Sequence, residues 1–276
     1  MNTNLTTISR SQPSYSTAFE QALSPEVIRS RVPAVYAPGA HERMSRAYTF
    51  ISTERVLDAL GQAGFLPVEA RQTVSRAVSP LHARHLIRLR RRLETVQLRE
   101  AVPELWFLNS HDGTSAYQLR VGLYRAVCTN GLVVSAGTFP VWRIAHRGEV
   151  LDDVVRAALE ISERFTVLAT AVERMERTML SEGERLGFAT EAYALRFPQD
   201  RHVAMEPGQL LVPRRVEDVG NDLWRTFNVV QEAVIRGGLV RRSAAGRLGR
   251  TRRITAIRED VRLNAGLWDL ALARAA

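Results

Sequence analysis

Between Glu149 and Leu180 the apolar residues Leu151, Val154, Val155, Ala158, Ile161, Phe165, Leu168, Val172, Met175 and Met179 recur every three or four positions. That spacing draws one stripe down an α-helix about eight turns long. A stripe of this length has to be buried, and the broad surface that can bury it is a sheet.

The preceding residues supply such a sheet. Phe65 to Arg76 reads as a strand and His82 to Arg92 as a second. Leu105 to Asn109 and Ala116 to Thr129 form a hairpin about His111-Asp112-Gly113, and Asn130-Gly131 turns the chain into Leu132 to Val134 and then Phe139 to Ile144. Ahead of the strands, Thr53 to Ala63 reads as a short helix with Thr53 as N-cap, Val56, Leu57 and Leu60 on its apolar face, and Gly64 as its stop. Beyond the stripe come a polar break at Ser181 to Gly183, a shorter helix through Phe197 stopped by Pro198, a helix near Val219 to Arg236, and a last helix through Leu263 to Ala275. The expected class is α+β: an antiparallel sheet packed by a long helix, with a helical C-terminal extension. The expected organisation is a flexible N-terminal arm over 1–45, rich in Ser, Thr, Pro and Ala, an α+β core over 46–200, and a helical, arginine-rich extension over 201–276.

Charge restricts the function. The net charge is +9, which favours polyanionic partners. There is no lysine, so all 38 basic residues are arginine. Walker-type ATP binding, Schiff-base chemistry and lysyl-nucleotide intermediates are therefore excluded. The single cysteine, Cys128, reads as a small buried hydrophobe and fits a reducing compartment. Met1 to Thr17 has no apolar signal-like core, and no apolar run is long enough to span a bilayer, so the expectation is a cytoplasmic protein without a membrane partner.

Two stretches segregate the charge. Residues 70–93 carry arginines 71, 76, 84, 88, 90, 91 and 92 with no Asp or Glu, and residues 233–258 carry arginines 236, 241, 242, 247, 250, 252, 253 and 258, again without an acid. In the strand from His82, alternate residues face opposite ways, which puts Arg84, Arg88, Arg90 and Arg92 on one face. Arginine forks suit phosphate oxygens and stack on bases. Arg84, Arg88, Arg90, Arg92, Arg120 and Tyr124 are therefore candidates to line one groove, and Arg241, Arg242, Arg250, Arg252 and Arg253 to make a second contact. The same composition would also arise from solvated arginines, or from arginines paired with carboxylates elsewhere. Tyr48, Trp106, Phe107 and Tyr117 are weaker stacking candidates than Tyr124, which sits on the polar side of its strand.

Catalytic patterns are sparse. His82 and His85 face opposite ways on a strand, His111-Asp112 reads as a polar turn, and Asp152-Asp153 complements a helix dipole. No catalytic or metal-binding residue is nominated, and no cofactor is expected.

The stretch NSHDGTSAYQLRVGLYRAVCTNGLVV at 109–134, and RRSAAGRLGRTRRITAI at 241–257 followed by Asn264, Leu267 and Trp268, resemble the phage/plasmid-like proteins, an uncharacterised family found on mobile elements. The resemblance spans roughly 45–275 and implies a mobile-element setting without naming a site. The helix–strands–helix order is also similar to that of ring-forming single-strand annealing proteins. The leading expectation is a homo-oligomeric protein that binds or anneals single-stranded DNA without ATP. Its rivals are an inhibitor of a host defence complex and a metal-dependent nuclease using His111 and Asp112.

Overall fold

The computed structural model describes residues 22–275 apart from 75–78, 93–95, 97, 99–100, 126–129, 134–138, 140, 148, 199–204 and 244–245. Cys128 and Arg76 lie outside the described residues.

Five strands form an antiparallel meander in chain order: β1 (Phe65–Gln72), β2 (His85–Arg91), β3 (Ala101–Asn109), β4 (Tyr117–Arg125) and β5 (Asn130–Val133). A sixth, β6 (Trp142–Ile144), pairs with the first half of β4. The fold is α+β. One face of the sheet carries Ile87, Leu89, Leu105, Phe107, Leu119, Val121 and Leu123, all within 1% of full burial. Against it lie α2 (Thr53–Gln62) and α3 (Val150–Glu163).

The long apolar stripe is not one helix. It bends at Arg164 into α3 and α4 (Phe165–Arg177). Ser162 is the local cause: its hydroxyl donates back to the Leu159 carbonyl at 2.8 Å and accepts from Arg91 of β2 at 3.0 Å. Back-bonding of this kind bends helices. The bend lets α3 cover the sheet while α4 turns to α6 (Leu223–Arg236) and α7 (Ile257–Leu272). Between them, α5 (Glu182–Arg196) starts on a capping box in which Ser181 and Glu184 exchange bonds.

Two boundary expectations change. Ser52, not Thr53, caps α2, because the Thr53 hydroxyl is drawn into the interior. Residues 22–45 are no loose arm: α1 (Pro25–Arg31) and the turn after it bury Ile28, Val32, Ala34 and Val35 in the main core. The C-terminal region is helical, as expected, and shares its core with the rest of the chain. One apolar core runs from Ile28 to Ala275 and includes Phe227, Leu267 and Trp268.

Candidate nucleic-acid interface

Cross-strand partners share a face of a sheet, so the second face can be read from the register. It presents Glu69 and Arg71 of β1, Leu86, Arg88 and Arg90 of β2, Glu104, Trp106 and Leu108 of β3, and Gln118, Arg120 and Tyr124 of β4. This face is basic, as the alternation predicts, but it is not an open groove. The start of α7 lies across it, with Ile257 and Val261 packed on Leu86, Trp106 and Leu108. Asp260 on the same helix pairs with Arg71.

Beneath that cover the nominated arginines are consumed. Glu104, fully buried, takes Arg88 Nε at 2.6 Å and Arg90 Nε at 2.8 Å on its two oxygens. Arg88 also pairs with Glu69. Burial alone would favour the neutral guanidine, but Glu104 and Glu69 overrule it and hold Arg88 above its ordinary value. Arg88 is 3% exposed and Arg90 5%. The expectation that Arg88 and Arg90 line a phosphate groove is corrected: a phosphate would have to displace two carboxylates and lift a helix.

The remaining members of that set are scattered. Arg84 is half-buried and donates to the Thr114 carbonyl at 2.9 Å. Burial and the neighbouring Arg258 lower its pKa. Arg92 is exposed at the far end of the strand, about 26 Å from Arg84 at the usual rise. Tyr124 is half-buried, with the Arg90 guanidinium 4.1 Å from its ring centre. That ring is already occupied, so it is no free platform for a base. Trp106, Phe107 and Tyr117 are buried, and Tyr48 stacks on His146 with ring centres 4.5 Å apart. Arg120 is half-buried on β4.

The second basic stretch has the opposite fate. β7 (Val240–Arg242) and β8 (Leu248–Arg250) form a separate two-stranded ribbon, exposed along both strands. Register places Arg242 and Arg250 on one side with Val240 and Leu248, and Arg241 on the other side, across from Gly249. Arg247, in the turn, and Arg252 and Arg253, on the strand's exit, are exposed as well. Among the described residues none of these six arginines has a carboxylate within ion-pair distance. Arg242 reaches the Gly246 carbonyl at 3.2 Å and Arg250 the Gly238 carbonyl at 2.7 Å. Those bonds orient the side chains without supplying a countercharge.

The ribbon is fixed at its base. Gly237 and Gly238 both have positive φ, and a Cβ on Gly237 would meet the Arg252 carbonyl at 2.6 Å. Gln209 exchanges two bonds with the Val240 backbone at 3.0 and 3.1 Å. Arg196 donates to the Arg252 carbonyl at 2.6 Å and Arg214 to the Gly237 carbonyl at 2.6 Å. A rigid base under a charged tip is a preorganised contact.

The histidines gather at the other end of the sheet. His85 Nδ1 bonds the Ala83 carbonyl at 2.9 Å, which makes it the protonated nitrogen. Its Nε2 therefore accepts from the Thr53 hydroxyl at 2.8 Å. Thr53 Oγ1 in turn accepts from Asn109 Nδ2 at 3.1 Å and from His111 Nε2 at 3.3 Å. Both rings are buried and neutral. Burial pulls His85 down to about 4, and burial with His85 nearby pulls His111 down to about 3. Asp112 caps its own turn, accepting from the Thr114 N–H at 3.0 Å and the Thr114 hydroxyl at 2.6 Å. His111 and Asp112 thus serve different bonds, and among the described residues no group of three His, Cys, Asp or Glu is placed to hold a metal. No helix is long and apolar enough to cross a membrane among the described residues.

Comparison with known proteins follows the same boundaries. The family described as a domain of unknown function (DUF932) matches residues 40–268. UPF0380 protein YafZ of Escherichia coli (strain K12) is 39% identical over 253 residues, covering 91% of this chain and 91% of the relative. UPF0380 protein YfjQ of the same strain is 38% identical over 255 residues, with the same 91% of each chain. No solved structure matches.

Proposed function

The chain belongs to the DUF932 family, and from that premise and the chemistry of the ribbon we propose that it binds nucleic acid through the phosphate backbone, without ATP. The observation that carries this reading is the cluster of Arg241, Arg242, Arg247, Arg250, Arg252 and Arg253, exposed, held on a rigid base and free of carboxylates among the described residues. Arginine in this state exchanges counterions for phosphates and gives salt-sensitive binding. The chain has no lysine for a Walker-type nucleotide-binding loop, which agrees with a step that does not use one.

The form of the ligand follows from the shape of the contact. A two-stranded ribbon fits the major groove of a duplex. Single-strand binding needs exposed aromatic platforms, and the rings nominated for that role are buried or already stacked. Duplex nucleic acid is therefore favoured over the single-stranded DNA that the sequence alone suggested. A mobile-element setting, implied by the sequence resemblance, suits such an activity.

The test is fluorescence anisotropy with labelled single- and double-stranded oligonucleotides at 50 and 200 mM salt. The expected result is duplex binding that weakens by roughly tenfold or more across that range, as several phosphate contacts require. Absence of binding to either form at the lower salt would overturn the reading.

A further inference from the structure

We propose a second anion site, separate from the ribbon, on the β4 side of the basic sheet face. It takes an oxyanion of phosphate geometry and is built by Arg120, Arg143 and the indole N–H of Trp106, with Gln118 beside them.

Register brings these side chains together. Trp106 of β3 faces Arg120 of β4 in one row, and Gln118 of β4 faces Arg143 of β6 in the next. Cross-strand partners and their diagonal neighbours lie within reach of long side chains.

The carboxylates of this face stop short of that corner. Glu69, Glu104 and Asp260 are taken by Arg71, Arg88 and Arg90. Among the described residues neither Arg120 nor Arg143 has a carboxylate in ion-pair distance; Arg120 has only Gln118 Oε1 at 3.3 Å. Two buried donors in the same row are left without acceptors: Trp106 Nε1, on a side chain 1% exposed, and Arg120 Nε. Buried N–H groups without partners are rare in folded proteins and ask for an explanation.

Both missing partners here are acceptors, and the charges without a carboxylate partner among the described residues of this corner, Arg120 and Arg143, are positive. Arg88 and Arg71 stand 5.4 and 5.9 Å from the Trp106 ring centre. Burial and the like charge of Arg143 disfavour the charged form of Arg120. A phosphate oxyanion entering beside exposed Arg143, at the β6 edge and not through the α7 cover over Trp106, supplies those acceptors with several lone pairs and a charge that the guanidinium fork matches. Its source is either free phosphate or a backbone phosphate of nucleic acid.

The test is a titration of the full chain followed by ¹H–¹⁵N spectra. The four tryptophans give four indole N–H signals, and Trp106→Phe identifies the one at issue. Inorganic phosphate is added against sodium chloride at matched ionic strength, and an unlabelled duplex oligonucleotide is added separately. The expected result is a saturable downfield shift of the Trp106 indole N–H that is lost in Arg120→Gln and kept in a variant with Arg241, Arg242 and Arg250 changed to Gln. A shift with inorganic phosphate assigns free phosphate as the source, and a shift with oligonucleotide alone assigns the backbone. An indole signal that moves with neither probe overturns the site, whatever the ribbon binds.

Thermal melting gives a second readout. Arg120→Gln removes a charge with no carboxylate partner among the described residues, so in chloride it melts no lower than the wild type, and it loses any rise that phosphate confers on the wild type. A fall of several degrees in chloride would mean that Arg120 is a structural group, and would also overturn the site.

Discussion

Strand β2 and the β7–β8 ribbon carry the same kind of sequence, arginine-rich and without acids, yet meet different neighbours. Arg88 and Arg90 lie on a face that a helix covers, and the two neighbouring strands bring Glu69 and Glu104 to them. Arg241, Arg242 and Arg250 stand on a ribbon that is exposed along both strands among the described residues. A basic run becomes a binding surface only when the fold leaves it uncovered. Buried, the same residues are structural cations, fixed by hydrogen-bonded carboxylates and costly to disturb.

The largest expected effect is in the buried region. Glu104→Gln leaves Arg88 and Arg90 inside the protein with one carboxylate between them, and should cost about 3–5 kcal/mol, the usual loss on breaking a buried ion pair. Guanidinium denaturation checks it; a loss under about 1 kcal/mol would mean that β2 is as tolerant as the ribbon.

Acid comes next. His85 and His111 are neutral in the fold, so between pH 6.5 and 4 the unfolded chain binds more protons than the native one. Stability is therefore full above about 6.5 and declines as pH falls, with His85 alone accounting for roughly 3 kcal/mol by pH 4. Denaturant midpoints at pH 7.5, 6 and 4.5 measure this. The ribbon has no group that titrates in this range, so affinity per folded molecule should stay level from pH 7.5 to 6.

Gly237→Ala tests the ribbon's footing. Its φ of 69° and the 2.6 Å approach to the Arg252 carbonyl leave no room for a Cβ, and the expected cost is about 1–3 kcal/mol, with weaker oligonucleotide binding. Equal binding and equal melting would show that the base of the ribbon need not be rigid. Smallest is Arg241→Gln, which should change stability by no more than about 0.5 kcal/mol and still lower the slope of log affinity against log salt by roughly 0.7–0.9.

The elements themselves are legible in the sequence because they rest on local pattern. Even and odd positions from His82 do separate a basic face from an apolar one, and the turn at Gly113 falls between β3 and β4 as expected, whereas Asn130 and Gly131 are not a turn but open β5, paired with Arg125 and Tyr124. Exposure is what the pattern cannot give. Arg88's partners lie 19 residues before it and 16 after it, and Arg71's partner Asp260 lies 189 residues away. Acid-free stretches are blind to acids brought in by other strands. The bend at Arg164 was hidden for a related reason: the apolar stripe continues through it, while its cause, Ser162 meeting Arg91, is a tertiary contact. Arg143 gave no signal of its own, since it sits in a mixed segment and acquires meaning only beside Arg120.

The central claim is that the ribbon, and not β2, meets the polyanion. The direct measurement is the salt dependence of duplex binding by anisotropy, comparing the wild type with a variant in which Arg241, Arg242, Arg250, Arg252 and Arg253 are all glutamine. The account predicts an unchanged melting temperature, an affinity lower by at least tenfold and a flattened salt slope. The same affinity and slope as the wild type, in a variant that is equally folded, would contradict it.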